Sequence, residues 1–140
     1  MKIERPFTVF ILDDDKWYGT MMQYFLSLNH EFKVKLFDKS SDFLEAMKET
    51  PDVVTLDYSM PEMNGMEVLE KIKSNNPETE VIIVSSLEDI NIAVHLLKKG
   101  ASEYIVKNKE ANDNLKNALK KMRYNWQVNR QNRFFAEPLY

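Results

Sequence analysis

Phe7-Thr8-Val9-Phe10-Ile11-Leu12-Asp13-Asp14-Asp15 is the stretch that decides the fold. Its first six residues form a nearly continuous apolar run, which is what a strand buried on both faces requires. The run stops at three aspartates. A strand covered on both faces belongs to a parallel sheet with helices on each side, so the neighbouring segments should alternate between strand and helix.

They do so five times. After the aspartates, Trp17, Met21, Tyr24, Phe25 and Leu28 recur at helical spacing and predict a first helix from about Lys16 to Leu28, with Trp17, Met21 and Tyr24 as its core stripe. Lys33-Val34-Lys35-Leu36-Phe37 alternates, as an edge strand with one solvated face does, and is followed by a helix carrying Phe43, Leu44 and Met47. Val53-Val54-Thr55-Leu56 reads as the third strand, ending at Asp57. A turn-rich loop, Ser59-Met60-Pro61-Glu62-Met63-Asn64-Gly65, leads into a helix with Met66, Leu69 and Ile72 that Asn75-Asn76-Pro77 terminates. Val81-Ile82-Ile83-Val84 is the fourth strand and runs into Ser85-Ser86. The next helix bears Ile90, Val94 and Leu97 and closes at Lys98-Lys99-Gly100, where cations suit the helix C-terminus and glycine supplies the cap. Tyr104-Ile105-Val106 is the fifth strand, ending at Lys107; the last helix carries Leu115, Leu119, Met122 and Trp126.

Composition narrows the chemistry. The chain has 140 residues with no Cys, which excludes disulfides, thiolate metal sites and cysteine redox chemistry. Apolar runs fall far short of the ~20 residues of a membrane helix, and Met1-Lys2-Ile3-Glu4 opens no signal peptide, so a cytoplasmic location without membrane contact is expected. Net charge is -3, and the basic residues Lys116, Lys120, Lys121 and Arg123 read as a solvated helix face; direct nucleic-acid binding is not expected. His30 and His95 stand alone, neither near the acidic rim nor at metal spacing, and read as ordinary.

In an open parallel α/β sheet, function collects at the C-terminal ends of the strands. Here those ends are Asp13-Asp14-Asp15, Asp57, Ser85 and Lys107. Carboxylates converging on one rim repel unless a cation sits among them, and hard oxygen ligands suit Mg²⁺, which keeps several waters and accepts phosphate oxygens. With a lysine and a hydroxyl on neighbouring strand ends, the set suits a phosphoryl group. Taken singly, each residue has a plainer reading: the aspartates could cap the first helix, Asp57 could start a turn, Ser85 could be a polar strand terminus, Tyr104 ordinary sheet packing and Lys107 a solvated charge.

From about Phe7 to Tyr124 the chain resembles the receiver domain of two-component response regulators. Five elements agree in order and spacing: Ile11-Leu12-Asp13-Asp14-Asp15; Asp57 with Pro61 and Asn64-Gly65 beyond it; Ser85-Ser86; Lys98-Lys99-Gly100-Ala101; and Tyr104-Ile105-Val106-Lys107. The resemblance implies an α/β fold of flavodoxin-like type, a doubly wound five-stranded parallel sheet in the order 2-1-3-4-5 with five helices. It implies a receiver domain over residues 1–126 and a tail, or the start of a linker to an effector, over 127–140. Asp57 looks like the phosphoacceptor, taking its phosphoryl group from a sensor histidine kinase or phosphotransfer protein. Asp13 and Asp14 look like the acidic pair for Mg²⁺, with Asp57 and the backbone carbonyl of Ser59 completing the protein ligands. Lys107 looks like the phosphate's cation, Ser85 like the switch hydroxyl and Tyr104 like its aromatic partner.

The implied function is a phosphorylation-dependent signalling switch, not an enzyme that turns over an external substrate. Its surface of fourth helix, fifth strand and fifth helix would change to control an output such as transcription, through a fused or separate effector and with self-association on phosphorylation. One position departs from the family: Asn108 follows the strand-five lysine where proline, often cis, is usual. Two other readings compete. Asp13 and Asp15 have the D-x-D spacing of haloacid-dehalogenase-type phosphatases, although Trp17 stands where that family has Thr or Val. A receiver fold used only for docking, without phosphorylation, is the other.

Overall fold

The computed structural model describes residues 5–136, with side chains described over 5–130. The strands are β1 (Phe7–Leu12), β2 (Phe32–Phe37), β3 (Val53–Leu56), β4 (Glu80–Ser85) and β5 (Glu103–Val106). The helices are α1 (Lys16–Ser27), α2 (Ser40–Ala46, continued by a 3₁₀ turn Met47–Glu49), α3 (Gly65–Asn75), α4 (Ile90–Lys98) and α5 (Ala111–Ala136). All four strand pairings are parallel and the order is β2-β1-β3-β4-β5, as the resemblance implies. The continuous apolar runs of β1, β3 and β4 occupy the interior, and the alternating β2 lies at an edge.

The two-residue period of each strand divides the core cleanly. Val9, Ile11, Val53, Ile82, Val84 and Ile105 face one side, against Met22 and Leu26 of α1 and Leu115 and Leu119 of α5. Phe10, Leu12, Val54, Leu56, Val81 and Ile83 face the other, against Phe43, Val68, Leu69, Ile72 and Leu96 from α2, α3 and α4. Chain order reverses direction across the sheet between β1 and β3, which leaves a crevice at the C-terminal ends of those two strands.

Two helical stripes differ from the sequence reading. Trp17 is 85% exposed and Tyr24 69%, with Met21 and Leu28 also outside; the buried residues of α1 are Gly19, Met22 and Leu26, with Tyr18 and Phe25 packed beside them. α1 carries two apolar stripes one residue out of phase, and close approach selects between them. A Cβ on Gly19 would lie 2.8 Å from Leu36 Cδ1, so only the glycine-bearing side can sit this near β2. On α4, likewise, Ile90, Val94 and Leu97 are exposed, while Leu96 is fully buried.

Helix α5 does not end near Trp126 but continues to Ala136, through the polar stretch read as a tail; the side chains of 131–136 and the whole of 137–140 lie outside the described residues, as does Met1-Lys2-Ile3-Glu4. The continuation is tied down at Trp126. Its ring meets Phe7 edge-on at 5.6 Å, and the guanidinium groups of Arg5 and Arg130 lie over it, 4.7 and 4.8 Å from its centroid. Arg5 in turn makes a two-pronged bond to Asp52, both at 2.8 Å. Lys116, Lys120 and Lys121 are exposed as read, whereas Arg123 pairs with Glu31. His30 and His95 are exposed, and no helix among the described residues is long and apolar enough to cross a membrane.

Candidate functional site at the strand ends

Strand alternation carries Asp13, Asp57 and Lys107 to the crevice. Each lies an even number of residues beyond an inward-facing member of the α1/α5 side: Ile11, Val53 and Ile105. The ladder continues one step past the strands, with the Asp57 amide donating to Leu12 O at 2.9 Å and the Lys107 amide to Ser85 O at 2.8 Å. Those bonds fix where the side chains begin.

Asp13 and Asp57 are buried and Asp14 is exposed, yet one carboxylate oxygen from each lies within 4.8 Å of the others. Asp15 has a different task. Its carboxylate accepts from the amides of Trp17 at 3.1 Å and Tyr18 at 3.2 Å, so it caps α1, while its own amide donates to Asp13 Oδ1 at 2.9 Å. The capping reading of the triplet therefore holds for Asp15, whereas Asp13 and Asp14 converge with Asp57.

Lys107 Nζ lies 2.9 Å from Asp13 Oδ2 and 3.7 Å from Asp57 Oδ1. One ammonium does not neutralise three carboxylates. Burial, then the neighbouring Asp13 charge, push the Asp57 carboxyl up to about 7, with Lys107 opposing and bonds with Asp14 and Asp13 adding to the rise. Burial pulls the Lys107 ammonium down, but the bond to Asp13 and the fields of Asp13, Asp57 and Tyr18 carry it above its usual value. Excess negative charge beside an exposed carboxylate fits a hard divalent cation, and the all-oxygen donor set fits Mg²⁺ better than a softer metal.

The remaining residues lie on the α3/α4 side. Ser85 is fully buried, and its Oγ accepts from the Leu87 amide at 3.1 Å. Tyr104 Oη donates to the Leu87 carbonyl at 2.7 Å, so Leu87 links hydroxyl and ring through its backbone. Ser59 is exposed in the loop after Asp57. Gly65 ends that loop: its amide donates to Tyr58 O at 2.8 Å, and a Cβ there would lie 2.8 Å from Tyr58 Cα. Asn64 caps α3 through the Glu67 amide at 3.0 Å. Every peptide bond among the described residues is trans, including Lys107–Asn108.

One neighbour of the site was not legible in the stripe read from α1. Tyr18 sits with its ring 4.4 Å from Lys107 Nζ, and its hydroxyl is buried with no hydrogen-bond partner among the described residues. Burial raises that hydroxyl's pKa; Lys107 opposes and Asp13 and Asp57 reinforce the rise. Its signal was the spacing Tyr18, Met22, Phe25, the second stripe of α1.

Comparison with known proteins places the fold in a family. Residues 9–120 match the family described as response regulator receiver domain. The chemotaxis protein CheY of Listeria monocytogenes is 36% identical over 115 residues, covering 79% of this chain and 93% of that protein. A protein-glutamate methylesterase/protein-glutamine glutaminase of Bacillus licheniformis is 37% identical over 103 residues, but the match spans only 29% of its length. Among solved structures, the BeF₃-activated receiver domain of DrrB superposes with a TM-score of 0.77 at 29% identity, covering 84% of this chain and 97% of that one; DrrB is a Thermotoga maritima protein. With its family match spanning β1 to α5 and the acidic crevice at the ends of β1 and β3, the chain belongs to the response regulator receiver domain family.

Proposed function

We propose that this protein is a phosphorylation switch in which Asp57 accepts a phosphoryl group from a phosphohistidine on a sensor kinase or phosphotransfer protein. A carboxylate oxygen of Asp57 attacks phosphorus; the O–P bond forms as the N–P bond breaks, and the imidazole leaves with the electron pair. The observation that carries the reading is the convergence of Asp13, Asp14 and Asp57 within 4.8 Å, with Lys107 paired among them. Asp13, Asp14, Asp57 and the Ser59 carbonyl would hold Mg²⁺, which supplies charge neutralisation for the transferring oxygens. Lys107 pairs with the same oxygens from the protein side, and catalysis is mostly positioning and electrostatics. The protein's chemistry serves its own modification; no external substrate is turned over.

Ser85 reads the phosphoryl group by bonding one of its oxygens, giving up the Leu87 amide it now accepts. Because Leu87 also receives the Tyr104 hydroxyl, that exchange reaches β5 and the α4 surface. The exposed Ile90, Val94 and Leu97 give this surface something to bury, against a second copy or an effector, fused or separate, that sets the output, transcription among the candidates. Residues 1–126 are the switch, and α5 continues beyond it to Ala136.

The test is intact-mass analysis after acetyl phosphate and Mg²⁺, for wild type and Asp57→Ala. One added phosphoryl group in wild type and none in the variant is the expected result; equal labelling moves the acceptor elsewhere. Turnover of small phosphate esters would instead favour a phosphatase.

A further inference from the structure

The Lys107 side chain is 14% exposed, so its ammonium is held almost out of water. It has three hydrogens to place. Asp13 takes one at 2.9 Å; Asp57, at 3.7 Å, lies beyond a good hydrogen bond. The remaining neighbour is the face of Tyr18, with Nζ 4.4 Å from the ring centroid, well inside the reach of a cation–π contact.

Tyr18 is itself rigidly placed. It is the third residue of α1, its amide tied to the Asp15 cap, and it packs on the core beside Met22 and Leu26. A buried tyrosine hydroxyl ordinarily finds a partner, and this one has none among the described residues. The part of Tyr18 engaged with the site is therefore its ring face. Without that face, the flexible four-carbon stem of Lys107 would be steered by Asp13 alone, and the ammonium would settle on that carboxylate, away from Asp57.

We propose that Tyr18 is a positioning residue for Lys107: its ring face holds the ammonium between Asp13 and Asp57, where it meets the phosphoryl group that Asp57 accepts. This rests on the phosphorylation reading above. The role belongs to the ring, so phenylalanine should perform it and an aliphatic side chain of similar bulk should not.

The experiment compares wild type, Tyr18→Phe, Tyr18→Leu and Asp57→Ala. Labelling by acetyl phosphate and affinity for beryllofluoride with Mg²⁺ are measured beside Mg²⁺ affinity alone. Tyr18→Leu should label about 3- to 10-fold more slowly and bind beryllofluoride weaker by a similar factor, with Mg²⁺ affinity not weakened. Tyr18→Phe should restore both. An independent reading comes from NMR of the unsubstituted protein, where the ring current should shift the Lys107 ε-methylene protons upfield; this does not depend on any variant folding.

Wild type labelled at Asp57 with Tyr18→Leu equally fast overturns the Tyr18 role alone. Equal losses in Phe and Leu assign the effect to the hydroxyl and overturn the ring argument. Unshifted Lys107 ε protons in wild type overturn the contact. Failure of wild type to label at Asp57 brings down the phosphorylation reading and the Tyr18 role with it.

Discussion

Lys107 leans on Asp13 at 2.9 Å and stands off from Asp57 at 3.7 Å, although both carboxylates are buried beside it. The proposed phosphoacceptor is thus the less compensated of the two. That imbalance leaves negative charge that a bound cation at this site would offset.

Asp57 should set a pH dependence of stability. In the unfolded chain its carboxyl titrates near the ordinary 3.8, and in the folded protein at about 7. Between those values the folded state keeps a proton that the unfolded chain has released, so without Mg²⁺ stability falls as pH rises from about 4 to about 7 and stays low above that. Asp57→Asn should be on the order of 2 kcal/mol more stable than wild type at pH 8 and nearly equal to it at pH 4. Denaturant melts at the two pH values check this; a variant less stable at pH 8 contradicts the charge argument.

Metal affinity should rest on Asp14, the exposed member of the cluster. Asp14→Asn should weaken Mg²⁺ binding about tenfold or more, because an amide oxygen replaces an anionic ligand. Trp17, near the acidic rim and exposed to solvent, reports binding by fluorescence. Unchanged affinity would remove Asp14 from the ligand set.

Ser85→Ala removes the acceptor for the Leu87 amide and should cost about 1 kcal/mol of stability. It should also shrink the beryllofluoride-induced amide shifts around Tyr104 while leaving labelling of Asp57 largely intact. Shifts of wild-type size in the variant would separate Ser85 from the switch.

The acyl phosphate should be long-lived. Ser59 is a short side chain and Leu87 lacks a polar side-chain atom, so neither orients a hydrolytic water as an acid or amide would. Ser59→Asn and Leu87→Glu should lose phosphate faster than wild type, by about tenfold for the better of the two. Phosphate release followed over time decides the matter; two variants no faster than wild type would refute it.

The two stripes of α1 should differ sharply. Met22→Ala should cost about 2 to 5 kcal/mol, whereas Trp17→Ala should stay within about 0.5 kcal/mol. Thermal melts suffice, and a large loss at Trp17 would place that ring against the core.

The parallel sheet was legible in the sequence because interior strands must be apolar on both faces, and β1, β3 and β4 are; the charges of β2 placed it at the edge for the same reason. The convergence of Asp13, Asp57 and Lys107 at the candidate site was legible because the two-residue period sends these strand-end residues to one side. What spacing could not settle was which side of a helix with apolar residues all round meets the sheet. Trp17 and Tyr18, or Val94 and Leu96, are equivalent to a helical period, and only the neighbour decides: Leu36 against Gly19 on α1, the packed face of β4 for Leu96. Nor could the chain alone pair Tyr18 with Lys107, 89 positions apart, or give Leu87 its place between Ser85 and Tyr104. Local sequence determines periodicity and strand ends because those depend on adjacent residues; contacts between distant elements depend on how two surfaces fit, and that exists only once the sheet and its helices have packed.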